Sequence, residues 1–230
     1  MDERQATFAD FEVPDPGRIR KVHRWLADHG RLDTTERPIS VLEIGYARGG
    51  LLDHLDAGGD FRKFALDVHE RTPGPGVTFF HHDCNEDFDF ADGMAFDVIF
   101  AGEIIEHIYH DNRFLGQLHR ILAPGGVLAM TTPNLFFAVN RLVMPFGRMP
   151  FFAWERYHYH FYSRATLTRL LGECGFRVRG VTSSHVLVSS RRHRLFGAVC
   201  ERLGDVFPSF GAHLIVFATK ESELKTCSHA

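Results

Sequence analysis

The residues best suited to chemistry begin at Val41–Gly49, VLEIGYARG, where a short apolar run (Val41, Leu42, Ile44) enters a turn carrying Gly45 and Gly49. Glycines there leave the backbone open to a close-lying ligand and tolerate positive φ. A helix opening after the turn would add free N–H groups. Acids follow at intervals: Glu43 just before the turn, Asp67 beyond it, then Asp83, then Glu103 after Gly102. A carboxylate about twenty residues past such a turn can accept from both hydroxyls of a ribose, and one a strand further on can accept from an adenine amino group. Two such acids describe an adenosine pocket. A phosphate pocket would want positive charge, and Arg48 is the only basic residue near the turn. The turn also approaches a dinucleotide fingerprint, Gly45-x-Ala47-x-x-Gly50 with Asp67 to follow. Against that reading stand Glu43, whose charge would lie close to a pyrophosphate, and the lack of a Tyr-x-x-x-Lys hydride-transfer set.

The elements that must position these residues follow from apolar periodicity. Arg18 to His29 carries Ile19, Val22, Trp25 and Leu26 at helical spacing. Strands are expected at Ser40–Ile44, Phe61–Asp67, Val77–His81, Phe96–Ala101 and Val127–Thr132, the fourth being apolar enough to lie buried on both faces. Leu51 to Leu55 would lie on the helix after the glycine turn. A helix from about Asn112 to Leu122 would end at Pro124-Gly125-Gly126. Ser163 reads as the N-cap of a helix Arg164–Glu173 stopped by Gly175. Phe176–Val188 should contain a sixth strand, Arg194–Val206 an extra helix and His213–Thr219 a final strand. Asn134 to Tyr162 is one long irregular stretch, a length that in a compact domain usually serves as a lid or binding insertion.

At 230 residues, 44% hydrophobic and 24% charged, the chain reads as one soluble domain over residues 1–230, with an N-terminal helical segment at 1–38 and an extra helical segment at 190–210. A net charge of −3 leaves no basic footprint for a nucleic acid. Cys84, Cys174, Cys200 and Cys227 form no C-x-x-C pair, which argues against a zinc knuckle or disulfide framework and fits a cytoplasmic protein. The acidic, proline-broken N-terminus does not read as a secretory signal. No run approaches the roughly 20 apolar residues of a transmembrane helix.

The ordered blocks VLEIGYARGG, FALDVHE, HHDCNEDF, FDVIFAGEIIEHI, LAPGGVLAMTTPN and HYHFYSRATLTRLLGECGF resemble the class I S-adenosylmethionine-dependent methyltransferases, within them the branch of quinone-biosynthesis and natural-product O-methyltransferases. The resemblance implies an α/β, Rossmann-like open sheet of about seven strands, mostly parallel with an antiparallel last strand, and helices on both faces. It implies S-adenosyl-L-methionine as cofactor and S-adenosyl-L-homocysteine as product. By position, Glu43, Gly45, Ala47 and Gly49 would hold the methionine end and the turn. Asp67 would bind the ribose with Val68 beside it, Asp83 with the Cys84 backbone would read the adenine, and Gly102 with Glu103 would flank the sulfonium. The middle glycine of the family's turn is Ala47 here.

For a hydroxyl acceptor, a proton-accepting side chain adds to alignment, and histidine is suited to it. Of the fifteen histidines, His107 in IIEHI and His158 and His160 in HYHFYS are the candidates. Backbone alternation puts the last two on one side of the chain. Glu106 with His110, His107 with Asp111 and the His-x-His pair also raise a metal site, although the resemblance points to a metal-independent branch. Phe136, Phe151, Phe152, Trp154 and Tyr157 suggest a small apolar or aromatic acceptor beneath the insertion. Oxygen is the expected accepting atom; nitrogen or carbon, a non-catalytic binding protein and an NAD-dependent oxidoreductase remain alternatives. The Arg191–Arg194 run reads as a solvated helix start rather than a membrane or anion contact.

Overall fold

A computed structural model describes residues 16–46, 50–55, 59–186 and 194–221. Seven strands form one sheet: β1 (Ile39–Ile44), β2 (Phe61–Asp67), β3 (Val77–His81), β4 (Phe96–Gly102), β5 (Leu122–Pro133), β6 (Phe176–Ser183) and β7 (His213–Lys220). Their spatial order is β3-β2-β1-β4-β5-β7-β6. β1 pairs in parallel with both β2 and β4, whereas β7 runs antiparallel to both β5 and β6. The expected open sheet with an antiparallel last strand is therefore present. It reverses its winding between β1 and β4, and the crevice beyond the carboxyl ends at such a switch is where an open α/β sheet binds ligands.

Period-two alternation sorts the strand side chains into two cores. Val41, Val98, Phe100, Val127, Ala129, Ile215 and Phe217 face helix α1 (Pro16–Asp28), which lays Val22 and Leu26 against them. Trp25 of α1 stacks on Phe217 at a centroid distance of 4.0 Å and an angle of 5°. On the other face Leu42, Ile44, Ile99, Ala101, Leu128 and Val216 meet Phe114, Leu115 and Leu118 of α2 (Asp111–Ile121) and Leu167 and Leu171 of α4 (Arg164–Glu173). Each fully buried large side chain contributes roughly 1.5–3 kcal/mol, so the interlocking of these faces fixes where the strands end.

Three expectations need correction. The helix after the glycine turn is only a 3₁₀ turn, Leu52–His54. Few residues separate Gly50 from Phe61, where β2 starts, and Gly58 and Gly59 disfavour a helix in that span. β5 starts at Leu122, five residues earlier than Val127: Phe96 pairs with Leu122 and Val98 with Val127, so Pro124-Gly125-Gly126 bulges out of a strand rather than ending a helix. The insertion is also less irregular than its sequence suggests, holding α3 (Ala138–Val143) and a 3₁₀ turn at Met144–Phe146. α5 (Arg194–Val206) follows β6, while Arg191, Arg192 and His193 lie outside the described residues, as does Cys227. Among the described residues no helix is long and apolar enough to cross a membrane.

Candidate active site

Register brings the expected residues to one rim. Ile44 lies opposite Leu66 and Ala101, Asp67 opposite His81, and Gly102 opposite Thr131, so Gly45, Asp67, Asp83 and Glu103 all follow the same edge of the sheet. Antiparallel β7 delivers the start of its chain there too, with His213 opposite Pro133. Gly45 has φ +80°, and a Cβ on it would sit 2.7 Å from Ile104 Cδ1 and 3.2 Å from the Gly102 carbonyl. A side chain there would force the β1 and β4 loops apart. Ala47 and Gly49, the other turn residues expected at the site, lie outside the described residues, as does Arg48.

Glu43 is buried beneath the turn. Its Oε1 accepts from the Leu51 N–H at 3.0 Å and its Oε2 from the Leu52 N–H at 2.9 Å, satisfying the start of the 3₁₀ turn. Gly50 is required here because a Cβ would run into Glu43 Oε1. Burial outweighs these two bonds and pushes the Glu43 carboxyl up to about 7. The acid assigned to the methionine end by position thus spends both oxygens closing the turn.

Asp67 and Asp83 each fold the chain just past a strand end. Asp67 Oδ1 accepts from the His69 N–H at 2.8 Å, and its Oδ2 lies 3.5 Å from Arg71 Nε. Asp83 Oδ1 accepts from both the backbone and side-chain N–H of Asn85, at 2.9 and 3.0 Å. These Asx-type turns hold the acids in place. Val68 is exposed beside Asp67, and Cys84 is buried after Asp83 with burial pushing its thiol up.

Two acids beyond β4 sit in opposite electrostatic surroundings. Glu103 adopts φ +56°, a conformation rare for a side-chain-bearing residue. Its burial would raise its pKa, but Arg18, 3.0 Å from Oε1, and His213, whose Nε2 lies 3.5 Å from Oε2, hold it below the ordinary carboxylate range. Glu106, in the 3₁₀ turn Ile105–His107, is 1% exposed and pushed well above that range, first by burial and then by the Glu103 charge. Environment thus drives two neighbouring carboxyls in opposite directions, favouring the charged form of Glu103 and the neutral form of Glu106. Glu106 Oε2 accepts from the Thr132 hydroxyl at 2.9 Å. Arg18 and His213 carry no motif and come from opposite ends of the chain, so sequence spacing gave no sign of them.

The insertion seats itself on this turn. The N–H groups of Tyr159 and His160 both donate to the Glu106 carbonyl, at 2.8 and 3.3 Å. His107 Nδ1 donates to the Tyr157 carbonyl at 2.9 Å, and His158 Nδ1 to the Phe152 carbonyl at the same distance. The two rings meet with centroids 4.7 Å apart. Burial keeps both neutral, pushing His107 down to about 4 and His158 in the same direction. His160 belongs to a different neighbourhood, with Nε2 3.4 Å from the Tyr109 carbonyl and Nδ1 3.9 Å from Asp111 Oδ2. Glu106–His110 and His107–Asp111 are not helical pairs, because the segment is a 3₁₀ turn rather than an α-helix; Glu106, His107 and His158 are the residues brought together. Of the aromatics expected to line an acceptor site, Phe152 and Tyr157 are half-buried, with the Phe152 ring 5.2 Å from His213. Phe136, Phe151 and Trp154 are exposed, Trp154 at 72%.

Comparison with known proteins agrees with this geometry. Residues 16–181 match the family model described as a methyltransferase domain. The chain is 29% identical over 143 residues to a ubiquinone biosynthesis O-methyltransferase of Caulobacter vibrioides, covering 55% of each chain. It is 34% identical over 145 residues to a probable S-adenosylmethionine-dependent methyltransferase of Mycolicibacterium smegmatis, covering 60% of this chain and 52% of that one. The chain thus spans about half the length of the curated relatives it matches. In fold it is similar to the Burkholderia thailandensis 1,6-didemethyltoxoflavin-N1-methyltransferase, with a TM-score of 0.58 at 18% identity over 90% of this chain and 80% of that one. The sheet order, the rim of glycines and acids and the match over most of its length make one assignment: the chain belongs to the methyltransferase domain family, among the class I S-adenosylmethionine-dependent methyltransferases.

Proposed function

We propose that the protein transfers the methyl group of S-adenosyl-L-methionine to an oxygen of a small apolar or aromatic acceptor. The cofactor fits the residues present: Gly45 leaves a backbone cradle that a Cβ would fill, and buried Asp67 is held at the rim by its own turn. Gly45, Asp67, Val68, Asp83, Cys84, Gly102 and Glu103 would hold it, with Ala47 and Gly49 completing the turn and Glu43 bracing it from beneath. When bound, it supplies an electrophilic methyl on a sulfonium whose departure leaves a neutral thioether. The chain's own work is to align the acceptor and exclude water, an effect worth up to several kcal/mol.

The observation that carries the choice of oxygen is the pairing of His107 with His158. Each commits its Nδ1 hydrogen to a backbone carbonyl, which places the lone pair on Nε2. A hydroxyl acceptor must surrender a proton as it is methylated and can donate it toward such a lone pair; an amine attacks with its own lone pair. Phe152 and Tyr157 supply the apolar wall of the acceptor space, whereas outward-facing Phe136, Phe151 and Trp154 do not reach it as they stand. The Caulobacter relative, an O-methyltransferase, supports the same choice. The reading is tested by incubating the protein with labelled donor and matched phenols, anilines and alkyl amines, then identifying products by mass spectrometry. Methyl ethers from the phenols are expected; exclusive N-methylation would refute the choice of oxygen.

A further inference from the structure

We propose that the outer face of α5, with the 3₁₀ turn Pro208–Phe210 after it, is the surface on which a second copy of this chain docks, forming a two-fold dimer. Two sides of α5 are already committed. Cys200 and Gly204 point inward, and a Cβ on Gly204 would meet Ser183 Oγ at 2.9 Å and the Ser183 carbonyl at 3.0 Å. On a second side Lys21 of α1 donates to the Glu201 carbonyl and to Asp205 Oδ1, both at 2.7 Å. These contacts fix the roll of the helix and hold a third side outward. Val199, Leu203 and Val206 share that side, spaced i, i+4 and i+7. All three are exposed, Val199 at 54% and Val206 at 68%. Exposed Phe207 and Phe210 extend the stripe, their ring centroids 6.5 Å apart. Arg141 of α3 carries it on to exposed Phe136, its guanidinium 4.1 Å from the Phe210 ring and 5.7 Å from that of Phe136.

Size and charge select the occupant. The six apolar side chains expose on the order of 500 Å², towards the upper end of the largest patch on an ordinary monomer. That area is also the apolar share, about 65%, of the roughly 800 Å² that each partner gives a standard dimer interface. A regular stripe is self-complementary. Two copies crossing antiparallel on a two-fold axis set Leu203 against the partner's Leu203 and Val199 against the partner's Val206. An anionic membrane would want a basic rim, whereas Glu201, Arg202 and Asp205 bring two negative charges to one positive. Arg141 donates to the carbonyls of Phe136 and Ser209, so a partner seated on this face also braces the insertion. The dimer does not depend on the methyl-transfer reading.

Sedimentation velocity of the full chain between about 1 and 100 μM tests the surface. The wild type should be a dimer at the upper end of that range. Val206→Glu and Phe207→Ser should each weaken association at least tenfold, with the fold preserved by circular dichroism. Met94→Glu, at an exposed apolar residue ahead of β4, should leave association unchanged. A wild type that stays monomeric throughout, or a dimer that survives both α5-face substitutions, would overturn the proposal. Monomeric protein that floats with phosphatidylglycerol vesicles, and no longer does so as Val206→Glu, would assign the face to a membrane and overturn it equally. If a face variant misfolds, Leu203→Cys decides. On the two-fold axis it should cross-link to a dimer under mild oxidation to an extent the wild type does not, and a dimer that fails to cross-link rejects this surface.

Discussion

His107 and His158 meet at a ring-centroid distance of 4.7 Å, each with its Nδ1 bound to a carbonyl of the insertion. One ring rises from the β4 turn and the other descends from the insertion, so their contact ties the insertion to the rim of the sheet. Removing either ring should leave donor binding intact. His107→Ala and His158→Ala are each expected to lower kcat by about 10²-fold or more, with the S-adenosylhomocysteine dissociation constant changed less than threefold. Steady-state kinetics beside calorimetry would separate the two effects. Full turnover in either variant removes that histidine from the mechanism.

Glu43 should make stability depend on pH. Its carboxyl sits at about 7 in the fold against 4.5 ordinarily, so the folded state holds the proton more tightly. The associated stability is fully present below about pH 4.5 and is lost as pH rises through about 7, an effect of up to about 3 kcal/mol. Glu43→Gln should flatten that interval of the stability–pH curve. The variant should also be destabilised, because an amide cannot accept from both Leu51 and Leu52 with two oxygens. Urea melts of both proteins at pH 5, 6, 7 and 8 make the comparison; parallel curves would remove Glu43 as the source.

Gly45→Ala should fail at the rim itself. The backbone there has φ +80°, and the new methyl would press on Ile104. Left-handed strain costs about 1–2 kcal/mol before the displacement of the β4 loop. A lower melting temperature together with at least tenfold weaker S-adenosylhomocysteine binding is expected. A stable variant with unchanged affinity would show that the close approach of the two loops is dispensable.

A separate change tests the support of the insertion. Ser163 caps α4, its hydroxyl accepting from the Thr166 N–H at 3.1 Å while Thr166 Oγ1 accepts from the Ser163 N–H at 2.8 Å. Ser163→Ala should cost about 1 kcal/mol, a drop of roughly 2–4 °C in a chain of this size. Differential scanning calorimetry reads it, and an unchanged melting temperature would mean that water replaces the cap.

Much of the scaffold was legible because its signals are local. Phe61–Asp67, Val77–His81, Arg164–Glu173 and Arg194–Val206 begin and end where apolar period, cap residues and glycines said they would. The alternation of such elements implied the sheet and therefore its rim. Signals failed where geometry overrode period. The post-turn helix had too little chain before β2, and the β5 bulge cannot be told from a helix-ending turn in Pro-Gly-Gly alone. The site divides the same way. Gly45, Asp67, Asp83 and Glu103 are readable because they follow strands. Arg18 and His213 reach Glu103 only through tertiary packing of α1 and β7. Sequence alternation paired His158 with His160, yet packing sends one to His107 and the other toward Tyr109 and Asp111.

The central claim is that this rim binds the methyl donor through Asp67. Isothermal titration of S-adenosylhomocysteine into the wild type should give one site per chain with a micromolar dissociation constant. Asp67→Ala should weaken it at least tenfold, or about 1.4 kcal/mol, with the fold preserved by circular dichroism. No heat of binding to the folded wild type would contradict the account.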